Sequence, residues 1–479
     1  MSPSRAVFTT RGLGRAVLCT CLLATRGASG QASVPVHTAE TGMTAQFRPI
    51  RYLEDYDHLA ASPRRSAWEA IKYVALWPGA YVSFGGQHRL RYELVDPEAL
   101  GIGPERATSS ALFVRNLLHA DIHPVPHMRV FGQLGSFYAL GIPSEHTGPP
   151  DVDVADVTQL FIEARASLGR AQVTSRAGRQ EMSLGSTRWV STRDGTNVRQ
   201  SFDLARVTIT LDRVLAVDTF VGTVPELRRG AFDDAPDGRN GFWGTYATVA
   251  ILPDKLLSAD GFYLGRRRDA SYGRVSGRET RHTLGLRLFG ETAFGLEYIA
   301  HALGQVGTIG DASVRAWGLA TGLWQRLPGP LSPVRIGLRG DALSGDRRPD
   351  DGTVTTFHPL FPNQTFFSAL PAIYPTNLYD LHPLLRIQAD AVTLEGGCAF
   401  FWRQSVDDAV YAPPGSPLVP AGATRARYTG AQLSVGLAYK ANRHLGFNAE
   451  YVHIYAGKAI TDAGGVDVDF FGTWTTYTY

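Results

Sequence analysis

The side chains best able to do chemistry in this sequence are arginines set at alternate positions and interleaved with acids. Arg89, Arg91 and Glu93 share one parity of their segment, and Arg115, His119 and Asp121 share one parity of the next. Glu279, Arg281 and Arg287 repeat the pattern, as do Arg335, Arg339 and Asp341, with Arg206 and Arg403 on further polar positions. A guanidinium is a planar fork that holds carboxylates bidentately and keeps its charge at any physiological pH. A row of such forks attracts an anion. Interleaved acids (Glu93, Asp121, Glu163, Asp203, Glu279, Glu297, Asp341) temper the field and fix the arginine rotamers, so that the anion is held weakly enough to leave. The same residues could instead be ion-pair ladders that stiffen a wall.

Other chemistries find less support. His119, Asp121 and His123 share a parity and are metal-ligating types. However, neighbours on one strand face seldom converge, and Pro124 is expected to end the strand. There is no His-Glu-x-x-His, no Gly-Lys-Ser/Thr phosphate loop and no Gly-x-Ser-x-Gly elbow. No catalytic residue, metal site or cofactor is expected, and the chain is not read as an enzyme.

Something must position the arginines, and period-two alternation does so along the whole chain. Val82, Phe84, Leu90 and Tyr92 oppose Ser83, Gln87, Arg89, Arg91 and Glu93. Leu284, Leu286 and Leu288 oppose Thr283 and Arg287, and Ile336 and Leu338 oppose Arg335 and Arg339. Eighteen such segments are expected, starting near residues 81, 111, 127, 156, 171, 203, 214, 242, 258, 279, 293, 313, 334, 384, 396, 428, 444 and 469. Each is near the length of a tilted membrane-spanning strand, roughly 9–11 residues. Aromatics gather at segment ends, as in residues 256–263 and 470–479, where interface girdles sit. Phe471, Thr473, Thr475, Tyr477 and Tyr479 give the last segment an aromatic face. The fold class that follows is all-β, an 18-stranded antiparallel transmembrane barrel.

Loop lengths alternate as well. Residues 179–203 and 344–380 are long, whereas the turn around Asp212 and Arg213 is short. The apolar run Thr356-Phe357-His358-Pro359-Leu360-Phe361-Pro362 is expected to fold inward or pack on the mouth of the barrel.

Residues 1–30 read as a secretory leader, with Arg5, Arg11 and Arg15 before a short apolar stretch at 16–24 and a small-residue cleavage site ending at Gly30. Residues 31–78 are expected to form a periplasmic or plug-like lead-in with a helical turn over 66–73, and residues 79–479 the barrel. The leader carries four Arg and no Lys or acid, so the 47 basic residues fall to 43 against 44 acidic ones. Net charge moves from +3 to −1, and a near-neutral chain carries no nucleic-acid signature. Only four of the 43 are Lys, leaving 39 Arg. Two of the three cysteines also belong to the leader, so Cys398 has no disulfide partner. The mean hydropathy of −0.10 excludes a helical membrane bundle but not a barrel, in which only alternate residues face lipid.

Several ordered segments carry a resemblance. They include residues 51–56 (Arg-Tyr-Leu-Glu-Asp-Tyr), 85–93 (Gly-Gly-Gln-His-Arg-Leu-Arg-Tyr-Glu), 178–181 (Gly-Arg-Gln-Glu) with 185–188 (Gly-Ser-Thr-Arg), and 197–203 (Asn-Val-Arg-Gln-Ser-Phe-Asp). Further on come Phe232-Asp233-Asp234, residues 242–246 (Phe-Trp-Gly-Thr-Tyr), residues 281–285 (Arg-His-Thr-Leu-Gly), Ser344-Gly345-Asp346, the run 356–362 and Phe401-Trp402-Arg403. In order and spacing, from about residue 46 to the end, the chain resembles the alginate-export family of outer-membrane barrels. The resemblance implies a monomer in outer-membrane lipid, with an electropositive constriction and partly occluding loops. It implies an anionic polysaccharide as passenger; uptake of small organic anions is the alternative. The residues it points to as lumen or mouth cations are Arg89, Arg91, Arg115, Arg179, Arg188, Arg199, Arg339 and Arg403. Glu93, Asp121, Asp203, Asp341 and Asp346 are their expected partners, Asp346 being equally readable as a turn residue.

Overall fold

Alternating side chains let a strand show one face to lipid and the other to a lumen, and the chain does this eighteen times. The computed structural model describes residues 47–61, 66–103, 107–142, 147–212, 214–253, 255–273 and 275–479. The leader expected at 1–30 lies outside the described residues. The barrel strands are β1 (Ala80–Asp96), β2 (Ser109–Val125), β3 (Met128–Leu140), β4 (Asp153–Leu168), β5 (Ala171–Glu181), β6 (Ser201–Leu211), β7 (Leu215–Thr223), β8 (Gly241–Leu252) and β9 (Leu257–Tyr272). They continue with β10 (Val275–Glu291), β11 (Leu296–Ile309), β12 (Ala312–Arg326), β13 (Val334–Leu343), β14 (Leu378–Ala389), β15 (Val392–Arg403), β16 (Tyr428–Lys440), β17 (Leu445–Ala456) and β18 (Val468–Thr478).

Each strand pairs antiparallel with the next, and β18 closes on β1 from Gln87↔Thr478 to Asp96↔Asp469. Closure matters because a lipid-exposed sheet edge would leave backbone groups unpaired where no water can reach them. The two faces separate sharply on β4: Leu160 and Ile162 are 54% and 60% exposed, whereas Phe161 and Glu163 are 2% exposed. The eighteen expected segments correspond to these strands. The largest offset is at β14, expected near 384 and beginning at Leu378. In the barrel Pro383 interrupts only the ladder toward β15 and still stands opposite Leu338 of β13. Pro124 likewise does not end β2; the strand runs on to Val125 through an irregularity in its pairing with β3.

One end of the barrel carries short turns, such as residues 169–170 and 390–391. The other carries the long connections 182–200, 224–240, 344–377 and 404–427. The connection 344–377 turns inward and meets 182–200. Phe361 N–H donates to Trp189 O (2.9 Å) and Ser191 N–H to Phe361 O (3.0 Å). Trp189, Phe357, Phe361 and Phe366 from these loops join Phe202 and Phe242 of the wall in one buried cluster, so the barrel has a hydrophobic core across its lumen. Gly185 lets this happen: it adopts φ +54°, and a Cβ there would collide with the Tyr246 hydroxyl.

The segment before β1 also enters the lumen. A helix over Ala67–Lys72 carries a Ser66/Glu69 capping box. Tyr52 is buried with Ile50, Phe131 and Phe161, donates from its hydroxyl to Glu181 O (2.7 Å) and stacks 4.0 Å beneath the Arg176 guanidinium. Arg51 bonds Glu54 and donates to Gly86 O and Tyr479 O (both 2.9 Å), tying this segment to the seam where the barrel closes.

Candidate functional site

The lumen holds two arrangements of arginine with different jobs. The first anchors the 182–200 loop to β1 and β2. Arg115 is fully buried and donates to Asp194 Oδ1 (2.6 Å), Asn197 O (2.8 Å) and Asp194 O (3.0 Å). Arg89 donates to Asp194 O (2.9 Å) and Thr196 O (3.0 Å), and Arg91 bonds Gly195 O and Glu93. Arg199 lies 3.4 Å from Asp194 and 3.0 Å from Glu181. Burial raises the Asp194 carboxyl, but Arg115, Arg199 and Arg89 together outweigh that and hold it far below the usual carboxylate range. These arginines meet loop carbonyls, Asp194, Glu93 and Glu181, and their chemistry is that of a clamp.

The second arrangement lines a chamber of about 1260 Å³ in the short-turn half of β8–β18, bounded also by Ser186–Arg188 and by residues 363–369 of the inward loop. Six cations face it (Arg188, Lys255, Arg287, Arg335, Arg339, Arg386) against four glutamates (Glu291, Glu297, Glu395, Glu450). Period-two strands place the wall residues, since Arg335 and Arg339 share one face of β13. Arg335 pairs with Glu297 (2.7 Å), Arg386 with Glu395 (2.5 Å), Arg287 with Asp260 (2.6 Å) and Arg188 with Asp341. Arg339 differs. Among the described residues it makes no ion pair; its Nη2 donates to Phe366 O (2.9 Å) and lies 3.2 Å from His382 Nδ1. Its Nε has no protein partner. Trp324, Phe366 and Trp474 bring aromatic faces to the same chamber. An arginine with no ion pair beside flat apolar faces can meet a carboxylate while a ring stacks against the aromatics.

The remaining expected residues fall as follows. Arg179 pairs with Asp203 (2.9 Å). Asp121 pairs with Arg129 and lies 3.2 Å from His123, so its cation is one not anticipated. Asp346 faces no arginine side chain; its carboxylate accepts from Arg348 N–H (3.0 Å), the turn reading of Ser-Gly-Asp. Arg403 gives its guanidinium to carbonyls of the 404–427 connection, Ala426, Val406, Asp408 and Thr424, and clamps that loop rather than facing a passing solute. Sequence reasoning missed Asp194, which reads as a turn residue in Arg193-Asp194-Gly195. It also missed Arg386, although alternation along β14 carries the signal.

The wall is similar to solved outer-membrane porins. Pseudomonas aeruginosa OccK8 (OprE) superposes with a TM-score of 0.53 at 13% identity, over 83% of this chain and 98% of that one. Pseudomonas aeruginosa OpdO gives 0.55 at 11% identity, over 83% and 97%. Acinetobacter baumannii OccAB1 gives 0.54 at 12%, over 83% and 96%. Identities this low carry the fold alone. No curated protein sequence matches the chain. The model of one family, described as alginate export, matches residues 80–473, from the start of β1 into β18. The match spans the closed barrel, and the chain belongs to the alginate-export family, as a channel of the bacterial outer membrane.

Proposed function

We propose that this channel passes anionic solutes through its arginine-lined chamber, with polyuronate export of the alginate type as the reading its family supports. The observation that carries it is Arg339, a guanidinium that makes no ion pair among the described residues and faces the chamber beside aromatic rings. The ion pairs around it temper the field, so that the solute is not trapped. The segment 47–61 in the lumen acts as an internal plug on this reading, and the chain works as a monomer.

Uptake of small organic anions is the second reading, and one feature favours it. The inward loops and their apolar cluster leave a discrete chamber rather than a wide bore, which suits a compact solute better than a long polymer. Reconstitution in planar bilayers tests both. Anion-selective conductance blocked by polyuronate, and not by neutral polysaccharide, supports export. Block by small carboxylates with indifference to polyuronate supports uptake, and a silent or cation-selective barrel refutes the common proposal.

A further inference from the structure

Outside the chamber, three carboxylates meet where the 224–240 connection folds back on the start of β4. Val154 N–H donates to Gly230 O (3.1 Å) and Phe232 N–H to Ala155 O (2.8 Å), so the loop adds a short parallel bridge to the strand. Asp234 N–H donates to Asp156 Oδ2 (3.0 Å), and Asp234 Oδ1 accepts from Arg228 N–H (2.7 Å). Oxygens of Asp153, Asp156 and Asp234 lie within 4.8 Å of one another. Asp153 is the telling member. It is 0% exposed, it points into this group, and among the described residues neither of its carboxylate oxygens has a hydrogen-bond partner.

Charge compensation from the protein is incomplete. Arg179 is the cation at hand, and it bonds Asp203 through Nε (2.9 Å) while its Nη1 lies 3.5 Å from Asp234 and 4.0 Å from Asp156. One guanidinium therefore serves three carboxylates, and Asp153 makes no ion pair with it. A buried anion without a partner is strongly disfavoured, so the group must take up protons or a cation. The donor set is all oxygen. Calcium takes oxygens at roughly 2.3–2.6 Å, which lets three ligands around one ion stand up to about 5 Å apart.

We propose that Asp153, Asp156 and Asp234 bind a calcium ion that pins the 224–240 connection to β4 at the long-loop end of the barrel. The ion supplies the positive charge that Asp153 lacks and joins two segments held otherwise by a few backbone bonds.

The test uses the full chain refolded in detergent. Calcium retained after gel filtration is measured by elemental analysis, and tryptic cutting at Arg228, Arg229 and Arg239 is timed with about 1 mM calcium or with a chelator. The expected result is one calcium per chain and roughly tenfold slower cutting with calcium, both lost in Asp153→Asn and in Asp234→Asn. Wild-type chain that retains no calcium overturns the proposal. So do variants that keep the ion, and so does an Asp153→Asn chain protected without calcium as well as wild type is with it, since the group then needs only neutralisation. Where a variant does not fold, the wild-type stoichiometry and its loss on chelation decide the matter alone.

Discussion

Arg188 on the inward 182–200 loop is ion-paired with Asp341 on β13, joining positions 153 residues apart in sequence. The same guanidinium lies 4.4 Å over the Phe366 ring, so it also grips the second inward loop. On the opposite side Asp194 of the 182–200 loop is held by Arg89 and Arg115 from β1 and β2. The loop is thus fastened at two places on the wall and bridges the lumen between them. The loop is a strap whose fastenings are charge pairs, and these can be cut one at a time.

Asp341→Asn cuts the β13 fastening and leaves Arg188 without its carboxylate. Removing one partner of a buried bond destabilises by about 1–3 kcal/mol. Relief of the neighbouring Asp380, which stands opposite Asp341 in the strand register, offsets part of this. The expected outcome is a lower melting temperature in detergent together with noisier, larger single-channel conductance. Wild-type conductance steps in a folded variant would show that the strap does not limit passage.

Arg339 and Arg89 should respond differently to loss of charge, because one faces the chamber and the other a loop backbone. Arg339→Gln is expected to lower anion-over-cation permeability roughly 2- to 5-fold, equivalent to about 0.4–1 kcal/mol. Arg89→Gln is expected to alter gating noise and leave selectivity close to wild type. Reversal potentials in asymmetric salt measure both. Equal selectivity changes in the two variants would contradict the division between chamber and clamp.

The wall was legible from sequence because alternation is a local property: Leu284, Leu286 and Leu288 against Glu279, Arg281 and Arg287 already state which face is which. That Arg179 faces Asp203 follows from the β5–β6 register. The site was less legible because it is made by loops crossing the lumen. Nothing local marks Asp194 as the meeting point of three arginines from different places in the chain. Nor does anything local show that Arg403 is consumed by carbonyls of its own loop. Asp121 shows the limit of strand reasoning: its face was evident, but its partner Arg129 sits across a two-residue turn where register decides the pairing.

Lys72 ends the helix before β1 with its ammonium buried, without a hydrogen-bond partner among the described residues, and 5.2 and 5.6 Å from the Tyr56 and Phe47 rings. Burial, reinforced by Arg51 nearby, lowers it to about 7. A lysine depressed on folding disfavours the docked segment below that value. The penalty fades as pH rises from about 7 toward the ordinary lysine range near 10.4. Docking of residues 47–73 should therefore tighten across that window, and Lys72→Met should be at least as well docked as wild type at neutral pH. Protease sensitivity of this segment against pH measures it; a looser segment in Lys72→Met, or one that loosens as pH rises, would contradict the assignment.

The Asp194 clamp predicts the opposite insensitivity at low pH. Because Arg115, Arg199 and Arg89 hold its carboxyl far below the unfolded value near 3.9, its contribution to loop anchoring is present above that value. It is lost only as pH falls through the depressed folded value. From about pH 8 to about pH 4.5 the strap should stay fastened on the β1–β2 side, with unchanged gating noise. Asp194→Asn removes the charge that three arginines share, and leaves them repelling one another around the loop carbonyls. That variant should show at neutral pH the noisy conductance that wild type avoids down to about pH 4.5. Single-channel recording across the range decides it: wild-type noise rising between pH 6 and 5 would mean that Asp194 is not the anchor.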